Sequence, residues 1–142
     1  MIQSVLIERG RMYLLDTNIC AYVINRRYDN VVKRLRQIDP EDLYISSIVA
    51  AELAYGVENS THVVSNRKNL REFLELIQIL PWDEKAVWQY ALQKTRLKKA
   101  GTTIGELDLL LGCQALAHDA VFVTNNTREF ERIEGLRLEN WV

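Results

Sequence analysis

A carboxylate, a hydroxyl and an amide follow one another directly after a short apolar run near the start of the chain. The run Met12-Tyr-Leu-Leu is suited to a buried strand, and Asp16, Thr17 and Asn18 come straight after it. Open parallel α/β sheets bind ligands at the carboxyl ends of their strands, so Asp16 is the first candidate for chemistry. The alternative is that Asp16 or Thr17 only caps the helix that follows, although a cap requires one such side chain and not three.

A second predicted strand also ends in polar residues. The segment Ala120-Val-Phe-Val-Thr124 is followed by Asn125 and Asn126. If this strand and the first one lie parallel in one sheet, the polar residues after both strands are found at the same edge. We therefore expect Thr124, Asn125 and Asn126 to lie on the same side of the sheet as Asp16.

Two predicted helices each carry one acid on a largely apolar background, namely Glu52 and Asp108. An unpaired carboxylate among buried leucines is costly, so Asp108 is expected near the helix N-terminus, in a hydrogen bond, or facing a wet or metal-containing cleft. In a doubly wound sheet, both acids can converge with the polar strand ends on one cleft. Such a cleft would hold several oxygen ligands, which suits Mg²⁺ or Mn²⁺.

The spacing of apolar residues predicts strands interleaved with helices. The predicted strands cover 12–15, 43–46, 79–80, 120–124 and 136–141, and the predicted helices cover 18–25, 29–36, a segment after Ser46 or Ser47, 63–76, 83–99 and 104–117. Along 63–76, helical spacing predicts an inner face of Val64, Leu70, Phe73, Leu74 and Ile77. The alternation predicts an α/β fold with a mostly parallel sheet of about four to five strands flanked by helices.

Length and composition predict one ordinary globular domain over residues 1–142. Apolar residues make up 48% and charged residues 26% of the 142 positions, and no apolar run approaches the roughly 18 residues of a membrane span. The apolar part of Met1 to Arg11 is too short for a secretory signal, so we expect a cytoplasmic protein without membrane contact. Residues 1–11 are either an N-terminal extension or precede a natural start at Met12.

The net charge and the cysteine and histidine side chains do not by themselves indicate a function. The net charge of −1 does not indicate nucleic-acid binding. The basic pairs Arg26-Arg27 and Lys98-Lys99 are explained by solvated helix faces unless the substrate carries phosphate. Cys20 and Cys113 are expected to be buried thiols in a reducing compartment, and His62 and His118 surface or helix-end residues.

Four motifs in this order and spacing resemble those of the PIN-domain nucleases, and most closely the VapC-type toxins of bacterial toxin-antitoxin pairs. The motifs are Leu14-Leu-Asp16-Thr-Asn18, Ala51-Glu52-Leu-Ala-Tyr-Gly56, Ile104-Gly105-Glu-Leu-Asp108-Leu-Leu-Leu111 and Val123-Thr-Asn-Asn126-Thr-Arg-Glu-Phe130. The resemblance covers essentially everything from Met12 to Val142. It implies a PIN-like fold.

The resemblance assigns roles to individual positions. Asp16, Glu52 and Asp108 match the acidic catalytic positions of the family, and Asp16 and Asp108 are the first candidates for the metal itself. Thr17 and Asn18 match the neighbouring positions that fix the first acid.

A fourth family position, often an Asp, corresponds here to Asn126, with Thr124 as a supporting neighbour. An amide carries no charge, so a second metal should bind more weakly. Gly112 and Cys113 stand where small alanines are usual in the family, which should matter only to packing.

By this resemblance the chain cleaves RNA phosphodiester bonds with water and Mg²⁺, for which Mn²⁺ can substitute. The family implies a structured RNA substrate, either transfer RNA or a ribosomal RNA loop. It also implies a homodimer, and a VapB-like antitoxin that covers the acidic cleft in a hetero-oligomer. Arg26, Arg27, Lys98 and Lys99 are the candidate RNA contacts, with plain solvation as the alternative.

Two other functions are considered. A haloacid-dehalogenase-like phosphatase also begins with a strand and an Asp, but it requires a second Asp two residues later, where this chain has Asn18. The second is a catalytically inactive PIN-like module that only binds RNA or protein. The three retained acids argue against the inactive module.

Overall fold

The computed structural model describes residues 10–142, so most of the predicted extension over 1–11 lies outside the described residues. The strands are β1 (Tyr13–Leu15), β2 (Leu43–Ser46), β3 (Gln78–Leu80), β4 (Val121–Val123) and β5 (Arg137–Glu139). The helices are α1 (Thr17–Asn25), α2 (Asp29–Arg36), α3 (Ser47–Glu58), α4 (Val63–Leu76), α5 (Val87–Ala100), α6 (Glu106–Ala117) and α7 (Thr127–Phe130), with short 3-10 turns at Pro40–Asp42 and Glu84–Ala86.

All five strands pair in parallel, in the order β3-β2-β1-β4-β5. The chain builds the sheet outward from β1 to β3 and then returns to the other side of β1 to add β4 and β5. The order of strands therefore reverses between β1 and β4, and ligands of open α/β sheets bind outside the carboxyl ends of the strands at such a point. The predicted parallel α/β fold is confirmed.

Most element limits agree with the sequence prediction, and three differ. The predicted helix 83–99 is divided, because the Asp83 side chain accepts a hydrogen bond from the Lys85 backbone N–H at 3.1 Å and caps a 3-10 turn before α5 begins. Helix α6 begins at Glu106 and not at Ile104. The one-turn helix α7 was not predicted, and it carries Glu129.

One residue of the predicted inner face of α4 lies on the wrong side of the helix. Leu70, Phe73 and Ile77 are buried as expected, whereas Val64 is 81% exposed. Val64 precedes Leu70 by six positions, which at 3.6 residues per turn turns it roughly 120° away from the buried stripe. The prediction was wrong because it assigned an apolar residue about 120° from the buried stripe to the inner face.

The predictions for the two cysteines and the two histidines are confirmed for the described residues. Cys20 and Cys113 are free thiols in the core. His62 is exposed at the start of α4, and His118 follows the last residue of α6. No helix within residues 10–142 combines the length and apolar character needed to cross a bilayer.

Two helical glycines allow a matched test of packing. A methyl group added at Gly112 would overlap the Ile133 Cδ1 atom, whereas one added at Gly56 would meet no atom within 4 Å. Alanine has the higher helix propensity, so Gly56→Ala is expected to raise the free energy of unfolding by about 0.5–1 kcal/mol. Gly112→Ala is expected to lower it by about 1–3 kcal/mol through overpacking. Urea unfolding measures both, and shifts of the same sign would contradict this packing.

Candidate active site

Asp16 lies at the carboxyl end of the central strand and is 7% exposed. Its Oδ1 atom accepts a hydrogen bond from the Ile19 backbone N–H at 2.8 Å, so Asp16 also caps α1. Burial raises the pKa of Asp16, and the charge of Glu52 adds to this, while hydrogen bonds from the Thr124 side chain and the Ile19 and Asn18 backbones oppose it. Asp16 can therefore cap α1 and also bind a ligand, because the cap fixes its buried carboxyl group at the ligand-binding edge of the sheet.

Glu52 reaches the same edge from helix α3, which follows the neighbouring strand β2. The buried Ser46 side chain caps this helix by accepting a hydrogen bond from the Ile48 backbone N–H at 3.1 Å. The Thr17 hydroxyl donates to Glu52 Oε1 at 2.9 Å. Thr17 therefore holds the second acid, which differs from its predicted role of fixing Asp16.

Asp108 is the third residue of α6, close to the helix N-terminus. Burial raises the pKa of its carboxyl group to about 6, and the charges of Glu129, Glu52 and Asp16 and a hydrogen bond with Glu129 add to the shift. Each of these three acids is therefore close enough to act on Asp108. The structure brings together the three acids predicted from sequence, and we refer to Asp16, Glu52, Asp108 and Glu129 as the acid cluster.

Glu129 is the acid of this cluster that the sequence prediction missed. Its Oε1 atom accepts a hydrogen bond from the Gly105 backbone N–H at 2.9 Å, and its Oε2 atom accepts one from Asn126 Nδ2 at 2.7 Å. Asn126, the predicted fourth catalytic position, thus holds an acid one helical turn later. The Asn-x-x-Glu spacing was a usable signal, because it is typical of the first turn of a helix and would have predicted α7.

The other predicted supporting residues lie around this cluster. Thr124 is fully buried, and its hydroxyl oxygen accepts a hydrogen bond from the Asn126 backbone N–H at 3.0 Å. Asn18 is exposed, and its backbone N–H is the group that acts on Asp16. A cleft of about 320 Å³ between α1, α3 and α4 opens at Thr17 and Glu52.

The donor atoms of the acid cluster suit a hard divalent cation. Within residues 10–142, no set of three or more His, Cys, Asp or Glu side chains is arranged so that it could hold a metal ion. Mg²⁺ typically keeps several waters and binds through one or two carboxylates, so it does not require three protein ligands. Repulsion among the carboxylates, visible in the raised pKa of Asp108, is a second reason for a cation to bind here. The residues fit a partly hydrated cation.

The four basic residues predicted to contact RNA are all exposed, in two separate places. Arg26 and Arg27 follow the end of α1, and Arg26 has a left-handed backbone conformation with φ 50°. Lys98 and Lys99 lie in the last turn of α5. In the part of the chain that the structure describes, none of the four forms an ion pair with an acid.

The Thr17 hydrogen bond predicts a measurable effect on catalysis. Thr17→Val keeps the side-chain shape but removes the donor to Glu52, so catalytic activity is expected to fall about tenfold, as for losses of groups that orient catalytic ligands. The matched control is Thr95→Val, which removes a hydroxyl that bonds only the Ala91 carbonyl in α5. Equal RNA cleavage rates for the two variants would contradict the proposed role of Thr17.

The chain is similar in sequence to a known protein family and to its characterised members. Residues 13–136 match the family model described as PIN domain. The chain is 42% identical to "Ribonuclease VapC2" of Rickettsia felis, over 92% of this chain and 98% of that protein. It is 33% identical to the "tRNA(fMet)-specific endonuclease VapC" of Salmonella typhimurium, over 91% of this chain and 97% of that protein.

The fold is also similar to solved structures. A crystal structure of VapBC2 from Rickettsia felis, bound to a DNA fragment from its promoter, contains a chain that superimposes with a TM-score of 0.84. The two sequences are 40% identical, and the match covers 92% of this chain and 99% of that one. The likeness thus extends over nearly all described residues.

Proposed function

The chain belongs to the PIN-domain family as a protein of the VapC ribonuclease type, and we propose that its acid cluster hydrolyses phosphodiester bonds of a structured RNA with the help of a divalent cation. The observation that carries this proposal is the convergence of four carboxylates at the point where the strand order reverses. The family membership argues against the dehalogenase-like phosphatase, which also requires an acid where Asn18 stands.

Asp16 and Asp108 are the residues that would hold the cation, because they meet from the central strand and from α6. When bound, Mg²⁺ or Mn²⁺ lowers the pKa of a water molecule and stabilises negative charge that develops on the phosphate. Glu52, fixed by Thr17, completes the cluster from the α3 side. The cap at Ile19 and the hydrogen bond from Thr124 keep Asp16 in place for this task.

The Asp108 and Glu129 carboxyl groups are the candidates for proton transfer. Glu129 lies close enough to Asp108 to contribute to its raised pKa, so it also lies beside the proposed cation. Asn126 and the Gly105 backbone N–H orient Glu129. We assign to Glu129 Oε the proton that leaves the attacking water, since Glu129 is the member of the pair not assigned to the cation.

An acid cluster repels RNA unless cations offset its charge. The bound metal supplies part of that compensation, and Arg26, Arg27, Lys98 and Lys99 supply the rest in this proposal. Their exposure and their lack of acidic partners among residues 10–142 support this role.

Transfer RNA is the first substrate class to test, and a ribosomal RNA loop is the second. The Salmonella relative named above is specific for tRNA(fMet), and it covers nearly the whole of this chain. Enzymes that read RNA sequence act on unpaired bases, so the cut is expected in a loop.

A cognate VapB-like antitoxin is the proposed partner, since the solved structure from Rickettsia felis is a VapBC complex. Its chain would cover the acid cluster and the adjoining cleft at Thr17 and Glu52. A homodimer within a hetero-oligomer belongs to the same proposal. Trp88 and Leu92, which are 74% and 63% exposed one turn apart on α5, are an apolar pair that contact between copies would cover.

The test is cleavage of total cellular RNA by the purified chain, freed of antitoxin, with sequencing of the new ends. With Mg²⁺ or Mn²⁺ we expect cuts at one or a few loop positions, and none with a chelator. Folded, partner-free protein that binds RNA but cuts none under any metal condition would favour the inactive binding module.

A further inference from the structure

The Arg27 guanidinium lies over two aromatic rings just after the end of α1. The Tyr22 and Tyr28 rings meet edge to face, with centroids 4.7 Å apart and an interplanar angle of 85°. The Arg27 guanidinium carbon lies 5.8 Å from the Tyr22 centroid and 5.4 Å from the Tyr28 centroid. Such contacts orient a guanidinium and partly fix it. We refer to Tyr22, Arg27, Tyr28 and Asn125 as the aromatic platform.

Asn125 connects this platform to the acid cluster. Its side-chain Nδ2 donates to the Tyr22 hydroxyl at 3.2 Å. In sequence it stands between Thr124, which bonds Asp16, and Asn126, which bonds Glu129. Residues 124–126 therefore connect the platform to the acid cluster.

Arg27 has no acidic partner among residues 10–142, in contrast to four arginines that do. Arg34, Arg67, Arg96 and Arg137 pair with Glu139, Glu58, Glu134 and Asp119, respectively. No ion pair joins Arg27 to an acid anywhere in residues 10–142, and its side chain is exposed. The donors of this guanidinium are thus available to an anion from solution, and the rings reduce the entropy lost when it binds.

We propose that the aromatic platform is the subsite for the nucleotide next to the scissile bond of the RNA. Arg27 binds the phosphate of that nucleotide, since a guanidinium matches phosphate oxygens with two parallel hydrogen bonds. The exposed parts of Tyr22 and Tyr28 contact its base or ribose, as aromatic side chains do in single-strand binding sites. The Asn125 amide can contact a base edge. This inference rests on the proposed function and adds a nucleotide-binding subsite to it.

The experiment measures cleavage of total cellular RNA at the positions that the wild type cuts, over a range of RNA concentrations. Arg27→Gln is expected to raise KM about tenfold, the lower range for a lost hydrogen bond to a charged group. The slope of log affinity against log salt should fall by about 0.7 to 0.9, the value for one lost phosphate contact. Arg27→Lys should recover part of the loss, because it keeps the charge without the planar geometry.

The matched control is Arg71→Gln, an equal loss of charge on α4, where Arg71 lies among Arg67, Lys68, Glu72 and Glu75. Equal KM values and salt slopes for Arg27→Gln and Arg71→Gln, in a preparation whose wild type cuts RNA, would overturn the subsite and leave the proposed function intact. Wild-type protein that cuts no RNA would instead overturn both.

Antitoxin binding distinguishes an RNA subsite from a surface that contacts only protein. Under the proposal, Arg27→Gln weakens RNA cleavage more than it weakens binding of the cognate antitoxin, measured by titration with the purified antitoxin. If it weakened antitoxin binding and left the KM for RNA unchanged, the platform would be a protein contact and the inference would be overturned.

Discussion

The Asp16→Asn variant is expected to lose at least about 100-fold in RNA cleavage rate at saturating Mg²⁺. Loss of outer-sphere groups alone costs 10- to 100-fold in metalloenzymes, and Asp16 is assigned to the metal itself. The fold should persist, because Asn also caps helices and can accept the hydrogen bond that Ile19 donates to Asp16. Removing a buried charge whose pKa is already raised should not destabilise the protein. Cleavage assays and urea unfolding test the two parts.

The control is Asp83→Asn, the same chemical change at another cap. Asp83 accepts a hydrogen bond from the Lys85 backbone at the start of the 3-10 turn before α5. It lies 3.9 Å from His118 Nε2, at the end of α6 opposite to Asp108. Wild-type cleavage is expected for this variant. If both variants cleaved RNA at the wild-type rate, the assignment of the active site would be wrong.

The Asp108→Asn variant is expected to lose cleavage and, without metal, to gain stability at neutral pH. The pKa of Asp108 is raised from 3.8 to about 6, so between these pH values the folded protein holds a proton that the unfolded chain releases. The free energy of unfolding therefore falls as pH rises through this window, and the loss persists above it. Asparagine removes this pH-dependent loss, because it cannot ionise.

Urea unfolding in chelator at pH 4.5 and pH 7.5 measures this effect. From pH 4.5 to pH 7.5, the free energy of unfolding should fall more, or rise less, in the wild type than in Asp108→Asn. Adding Mg²⁺ at pH 7.5 should stabilise the wild type more than the variant, since the cation offsets the carboxylate charges. An unchanged pH dependence in Asp108→Asn would contradict the burial of this carboxyl group and the close approach of Glu129, Glu52 and Asp16 to it.

The sheet and three of the four acids were predictable because they depend on strong patterns. Apolar strand segments followed by polar residues identify the carboxyl edge of a parallel sheet. An acid within an apolar helix, as at Asp108, has few environments that it can tolerate. Both inferences depend only on which residue types are adjacent in sequence, so they required no knowledge of tertiary contacts.

Hydrophobic patterns did not predict Glu129 or its place in the cluster. Helix α7 spans only Thr127–Phe130, and a single turn shows no hydrophobic periodicity. The carboxylate of Glu129 is also bonded to Gly105, 24 residues earlier in sequence. Its place in the cluster depends on how α6 and α7 pack, which local spacing does not contain.

Gln114 illustrates a further limit of local spacing. This residue is fully buried in α6, where its Nε2 atom donates to the Leu80 and Pro81 carbonyls, each at 3.1 Å. The two carbonyls belong to the end of β3 and the residue after it, more than 30 positions earlier. A polar residue in an apolar helix can thus be a structural link, and only the tertiary contact separates this case from that of Asp108.

Binding of Mn²⁺ to the purified, antitoxin-free chain, followed by the electron paramagnetic resonance signal of the free ion, tests the central claim most directly. The account predicts that the wild type and Asp83→Asn bind Mn²⁺, that Mg²⁺ competes for the same site, and that Asp16→Asn and Asp108→Asn lose this binding. Equal Mn²⁺ binding by all four proteins, or none by the folded wild type, would contradict a metal-dependent acid cluster.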